Sequence, residues 1–313
     1  MNISFNYYII KIILIFSFLL NILILNIKNI DKLESKLYFK EKKIYKVSLV
    51  VPIIYNDFYK ILYNLEYYSN FIDGIKNVIL IGNEEIEKLI QKNKFSLYLP
   101  INFINEKNLL DVDKIKKLIT KRNKFAIKRS GWYIQQFLKM IYCMVCQDKF
   151  YLIWDGDTIP IKKVKMFNNN GKPFFDVKTE YHKQYFITMK KIFPKLGKKY
   201  KYSFISEHMI INTRLMKNMI NKISANNNLL GDTWYEKIIN SINSQDLSKS
   251  GFSEFETYGT FVKEYYKKFY EIRPWKSLRL KTSLLNLNPK FLPDNYIKNI
   301  SKYYNAISFE KWK

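Results

Sequence analysis

From Tyr45 onward, short apolar runs alternate with stretches of helical periodicity, and that alternation admits few architectures. Residues 45–54 (YKVSLVVPII) are β-branched and apolar and carry Pro52 near their end. Such a run predicts a buried strand followed by a loop. After Asp57, the residues Phe58, Ile61, Leu62, Leu65 and Tyr68 recur at helical spacing. Residues 77–81 (NVILI) predict a second buried strand closed by Gly82, residues 84–92 a helix, and 97–99 and 102–104 short strands. Strand and helix in turn argue for an α/β fold: a mostly parallel central sheet flanked by helices, of the nucleotide-binding kind. Ligands of such sheets collect outside the carboxyl ends of the strands.

Composition limits what surrounds that sheet. The 313 residues are 48% hydrophobic and 17% aromatic, enough for a substantial core. The formal net charge is +26. The lysines are spread along the chain, alongside many Asn, Ile, Tyr and Phe and only 9 Gly, so the excess reads as compositional drift and no nucleic-acid partner is expected. Cys143 and Cys146 are the two cysteines. They fall at the end of a helical pattern running from Gly131, without further thiols or histidines beside them, which predicts core thiols over a redox or zinc pair.

Residues 7–27 (YYIIKIILIFSFLLNILILNI) are apolar except for Lys11, Ser17, Asn21 and Asn26, just long enough to span a bilayer. No small-residue cleavage pattern follows. The expectation is an uncleaved membrane anchor over 1–30 and a charged stem over 31–44. The lysines at 28, 32, 36, 40, 42, 43 and 46 would place the domain that follows on the cytosolic side.

The chemistry concentrates after residue 150. Residues 150–154 (FYLIW) read as a hydrophobic strand that stops at Asp155-Gly156-Asp157. On an extended backbone, carboxylates two residues apart point the same way, and Gly156 leaves room for a ligand between them. Paired hard oxygens at a strand end suit Mg²⁺ or Mn²⁺ bridging a diphosphate.

Several ordered motifs add to this pair. Arg129-Ser130-Gly131-Trp132-Tyr133 with Gln135-Gln136 and Lys139, then W-D-G-D-T-I-P at 154–160, resemble bacterial-type glycosyltransferase-like proteins of the GT-A fold. Their pattern is R-S-G-W-Y-x-Q-Q-x-x-K followed by D-x-D-T. Ser206-Glu207-His208-Met209 and Phe252-Ser253-Glu254-Phe255-Glu256-Thr257-Tyr258-Gly259 also match, as do Pro52 and Asp57. The resemblance covers about residues 45–275, leaving 276–313 as an extension expected to pack on that domain.

The resemblance implies a metal-dependent transfer of sugar from a nucleotide-diphosphate donor to a hydroxyl of a glycan or lipid-linked acceptor. Asp155 and Asp157 would hold Mn²⁺ or Mg²⁺, with His208 completing the metal shell. Asp57 would lie near the base or ribose, its alternative being an N-cap. Arg129, Trp132, Gln136 and Lys139 would face the donor, Gln136 and Lys139 sharing one helical turn. Glu254 or Glu256 would act as general base, the alternative for Glu256 being a capping box with Ser253. Two rivals stand beside this reading: an inactive nucleotide- or sugar-binding relic of the same fold, and a basic scaffold on a membrane surface.

Overall fold

The computed structural model describes residues 45–92, 99–281 and 292–310. The expected anchor and stem, and residues 97 and 98 of one expected strand, lie outside them. Among the described residues no helix is long and apolar enough to cross a membrane.

The alternation read from the sequence is present. Strand β1 (Val47–Pro52) leads into helix α1 (Phe58–Phe71), then β2 (Ile75–Gly82), α2 (Glu84–Lys92) and β3 (Ile101–Asn105). Every residue of β1 is buried, which is why the run is apolar on both faces rather than alternating. Leu99 is buried but precedes β3 in a bend. Helices α3 (Val112–Arg122) and α4 (Ser130–Ile141) follow, α4 ending in a 3-10 turn over Tyr142–Met144 that carries buried Cys143. Both cysteines are free and buried. Next come β4 (Phe150–Trp154) and the short β5 (Thr158–Pro160).

The second half is more irregular. It holds β6 (Phe174–Val177), α5 (Lys183–Ile192), β7 (His208–Asn212), α6 (Thr213–Ser224), α7 (Trp234–Ser241) and α8 (Glu254–Tyr265). The chain then runs through β8 (Glu271–Pro274), β9 (Ser277–Lys281), α9 (Asp294–Ile300) and β10 (Ala306–Glu310).

The central sheet has five strands in the order β3-β2-β1-β4-β7. The first four run parallel and β7 is antiparallel to β4. After β3 the chain returns to the other side of β1, so the strand order reverses between β1 and β4. That reversal opens a crevice outside the carboxyl ends of β1 and β4, the position where open α/β sheets bind ligands. The C-terminal strands complete the neighbourhood: β10 pairs antiparallel with β5 and parallel with β9, directly beside the end of β4.

Candidate active site at the ends of β1 and β4

Two acidic segments enter this crevice. Asp57 closes a 3-10 turn directly after β1, and Lys60 Nζ lies 2.9 Å from its Oδ1. Its side chain makes no cap hydrogen bond to α1, so the N-cap alternative fails. Asp155 and Asp157 follow β4, both half-buried. Their backbone corrects the extended geometry expected of them. The strand stops at Trp154, and Thr158 N donates to Asp155 O at 3.0 Å, so Asp155–Thr158 is a tight turn.

That turn is held from three sides. Asp155 N donates to Glu207 O (2.8 Å), just before β7, and Phe309 N of β10 donates to Asp157 O (2.8 Å). From α1, Asn64 Nδ2 donates to Gly156 O (2.8 Å) and the Tyr68 hydroxyl to Thr158 O (3.2 Å). Gly156 serves this packing instead of making room for a ligand. A Cβ there would lie 2.5 Å from Ile61 Cδ1, so glycine lets α1 close on the turn. Thr158 Oγ1 shares a 2.5 Å hydrogen bond with Ser308 Oγ and donates to Asp157 Oδ1 (3.2 Å).

The R-S-G-W-Y-x-Q-Q-x-x-K face has a different task from the donor contact expected of it. Arg129 donates through Nε to Lys249 O (3.2 Å) and through Nη2 to Ser250 Oγ (3.3 Å), with its guanidinium over Trp132. Tyr133 donates to Asp246 O and accepts from Gly251 N, both at 3.2 Å. Gln136 Oε1 accepts from Glu254 N (3.0 Å). Lys139 Nζ reaches Glu254 Oε1 (2.9 Å) and Asp155 Oδ1 (2.6 Å). Residues 129, 133, 136 and 139 follow a helical stripe, and all four bind the segment 246–254. Arg129, Gln136 and Lys139 are therefore engaged inward with protein groups. Burial pushes the Lys139 ammonium down, but the Asp155 and Glu254 carboxylates outweigh it and raise it above the ordinary lysine range.

Glu254 and Glu256 part company. Glu254 opens α8, with its carboxylate on the ammonium that also holds Asp155. Glu256 points the other way, accepting from Ser203 Oγ (2.5 Å) and Phe204 N (3.2 Å). Ser253 Oγ accepts from Glu256 N as a cap should, but the Glu256 side chain does not return to Ser253, so the box is half made. Burial raises the Glu256 carboxyl above its usual range. The Phe204 ring lies over Gly259, where a Cβ would come within 2.1 Å of it. Glu256 thus ties the 203–204 loop to α8 and is withdrawn from the role of base.

His208 is corrected as well. It is 1% exposed, its ring stacked on Trp154 and edge-on to Trp275. Its Nε2 lies 2.7 Å from Asp176 Oδ2. Arg273, the register partner of Asp176 across β6 and β8, clamps that carboxylate through Nε (2.6 Å) and Nη2 (2.7 Å). Burial would raise the Asp176 carboxyl, but Arg273 and His208 hold it below its usual range. Among the described residues no group of three or more His, Cys, Asp or Glu side chains could hold a metal ion. His208 is a buried partner of Asp176, and Trp154 is core. The remaining donor set, two carboxylates on a rigid turn, still fits a hard cation that takes its other ligands from phosphate and water.

Asn64, which the sequence reading passed over, and Glu207, quoted there only within a motif, complete the frame. Asn64 is a polar residue inside the apolar stripe of α1, a detectable anomaly. Glu207, next to His208, accepts from Lys178 Nζ (2.7 Å), Ser277 Oγ (2.8 Å), Trp275 Nε1 (3.0 Å) and Arg279 Nε (3.4 Å). Burial pushes its carboxyl up, but Lys178, with Ser277 and Arg279, outweighs this and holds it at about 2, below the ordinary 4.5. A depressed carboxyl stabilises the fold above its unfolded value, and that contribution is lost as pH falls from there through the folded value. Glu207 is thus expected to supply up to about 3 kcal/mol that disappears between about pH 4.5 and 2. Melting curves across that range check it: Glu207→Gln should lose less stability on acidification than the wild type, and equal slopes contradict the assignment.

Fold and crevice together define an α/β protein with a carboxylate-bearing cleft at its switch point. The chain belongs to DUF6492, a family of unknown function, whose profile matches residues 45–283. No curated protein matches the chain. Among solved structures it is similar to a crystal structure of an active-site mutant of LgtC, at 10% identity and a TM-score of 0.44 over 84% of this chain and 87% of that one.

Proposed function

We propose that the chain is a metal-dependent glycosyltransferase of the GT-A type. It would move a sugar from a nucleotide-diphosphate donor to a hydroxyl of a glycan or lipid-linked acceptor. The observation that carries this reading is the Asp155–Asp157 turn, braced by α1, β7 and β10 at the reversal between β1 and β4. The resemblance of the ordered motifs to those of glycosyltransferase-like proteins supports it.

In this reading Asp155 and Asp157 would hold Mn²⁺ or Mg²⁺. The bound cation supplies Lewis-acid neutralisation of the leaving nucleoside diphosphate. Asp57, at the end of β1, accepts hydrogen bonds from ribose or base. Glu254 takes the proton of the acceptor hydroxyl; its backbone N–H is fixed by Gln136 and its carboxylate by Lys139. Glu254 contacts the group that holds Asp155, which favours it as base over the withdrawn Glu256.

Residues 7–27 anchor the enzyme beside a membrane-borne acceptor, with the catalytic domain facing the cytosol. Fractionation with N-terminal sequencing tests the anchor; a soluble product beginning after residue 27 means a cleaved signal instead. The function is tested by a thermal-shift screen of nucleotide sugars with Mn²⁺ on the full-length chain in detergent. A cognate donor raises the melting temperature only with the metal present. Stabilisation by anionic lipid vesicles and by no nucleotide would favour a membrane-surface scaffold.

A further inference from the structure

One ammonium stands between two carboxylates with different duties. Lys139 Nζ lies 2.6 Å from Asp155 Oδ1 and 2.9 Å from Glu254 Oε1. The Lys139 and Glu254 side chains are 5% and 6% exposed, whereas that of Asp155 is 31% exposed and open to the crevice. The lysine is also placed by its surroundings. The Tyr151 hydroxyl of β4 donates to Lys139 O (3.0 Å), the ammonium lies over the Phe255 ring, and Gln136 one turn earlier pins Glu254 N. The ammonium is thus positioned by α4 and β4 as well as by the carboxylates it serves.

The geometry points to Lys139 as a positioning residue that couples the cation end of the site to its base end. It fixes Glu254 against Asp155, and it shares the Asp155 carboxylate with any cation that arrives from the crevice. This rests on the reading of Asp155 and Asp157 as cation ligands. Lys139 itself touches neither donor nor acceptor; it acts through the two carboxylates.

Opposite signs follow for two substitutions. With Lys139→Met, a positive charge is removed from beside the cation, and Mn²⁺ affinity rises by about tenfold, the effect of one unit charge at close range in a half-exposed site. With Glu254→Gln, the ammonium falls undivided on Asp155, and Mn²⁺ affinity drops by roughly threefold to tenfold. A lysine that only filled space would leave Mn²⁺ affinity unchanged when lost, because backbone bonds hold the turn around Asp155.

The test is a titration of the full-length chain in detergent with Mn²⁺ alone, free ion being followed by electron paramagnetic resonance. The wild type, Lys139→Met, Glu254→Gln and the double variant Lys139→Met/Glu254→Gln are compared. The double variant leaves no unpaired buried carboxylate at position 254 and carries the test should Lys139→Met not fold. Tighter binding in Lys139→Met or the double variant, with weaker binding in Glu254→Gln, is the expected result. Unchanged or weaker binding in the folded lysine variants overturns the inference while leaving the cation site standing. If the wild type takes up no Mn²⁺, the cation reading falls and the inference with it.

Discussion

Asp155→Asn and Asp157→Asn should each lose metal-dependent nucleotide binding by at least about 100-fold, beyond the 10–100-fold typical of losing an outer-shell partner. In the proposed reading each substitution removes one of the two carboxylates assigned to the cation, and His208, paired with Asp176, is not placed to compensate. The turn itself should survive, because its bonds run through the backbone of Asp155 and Asp157 and through Thr158. Asp155→Asn should also lower stability. It strips one carboxylate from the buried Lys139 ammonium, leaving Glu254 alone to balance it. Calorimetric titration with UDP or GDP and Mn²⁺ checks the first point, and thermal melts the second. Unchanged affinity in both variants removes the metal from the account.

The second large effect belongs to α8. An acceptor hydroxyl is a weak nucleophile at neutral pH, and a positioned carboxylate contributes about 10²–10⁴-fold by accepting its proton in the transition state. Glu254→Gln should therefore lower kcat by that range, with donor affinity falling only severalfold through the Lys139 link to Asp155. Glu256→Gln should do the reverse. Its carboxylate accepts from Ser203 and Phe204 in the interior, so the change should cost about 1–2 kcal/mol of stability and leave turnover nearly intact. The measurement is turnover of the cognate donor in the two variants beside their melting temperatures. Near-wild-type rates in both would move the base elsewhere.

The parts of this protein that its sequence disclosed are those governed by local burial. Strands β1 and β2 are largely apolar runs, and helices α1 and α2 are amphipathic, with periodicity set by the face each buries. The Asp155–Asp157 pair stands out in the sequence because an apolar strand stops at it. Its conformation was not, because the turn is imposed by Asn64, Glu207 and Phe309, partners remote in the chain. The same holds for Gln136 and Lys139. Polar side chains on a helix look like outward-facing ligand contacts until the segment that covers them is known, and here residues 246–254 cover them. His208 looked like a late metal ligand for want of its partner, since Asp176 reaches it only through the pairing of β6 with β8. The Ser-x-x-Glu pattern at Ser253 and Glu256 gave a true cap, yet the glutamate was drawn off by Ser203 and Phe204.

Binding of UDP or GDP to the wild-type chain, titrated calorimetrically with Mn²⁺ and again after the metal is chelated, tests the central claim most directly. Saturable binding of one nucleotide that vanishes on chelation is the predicted result. Binding that is equally tight without metal, or no binding of either nucleotide under both conditions, would contradict it.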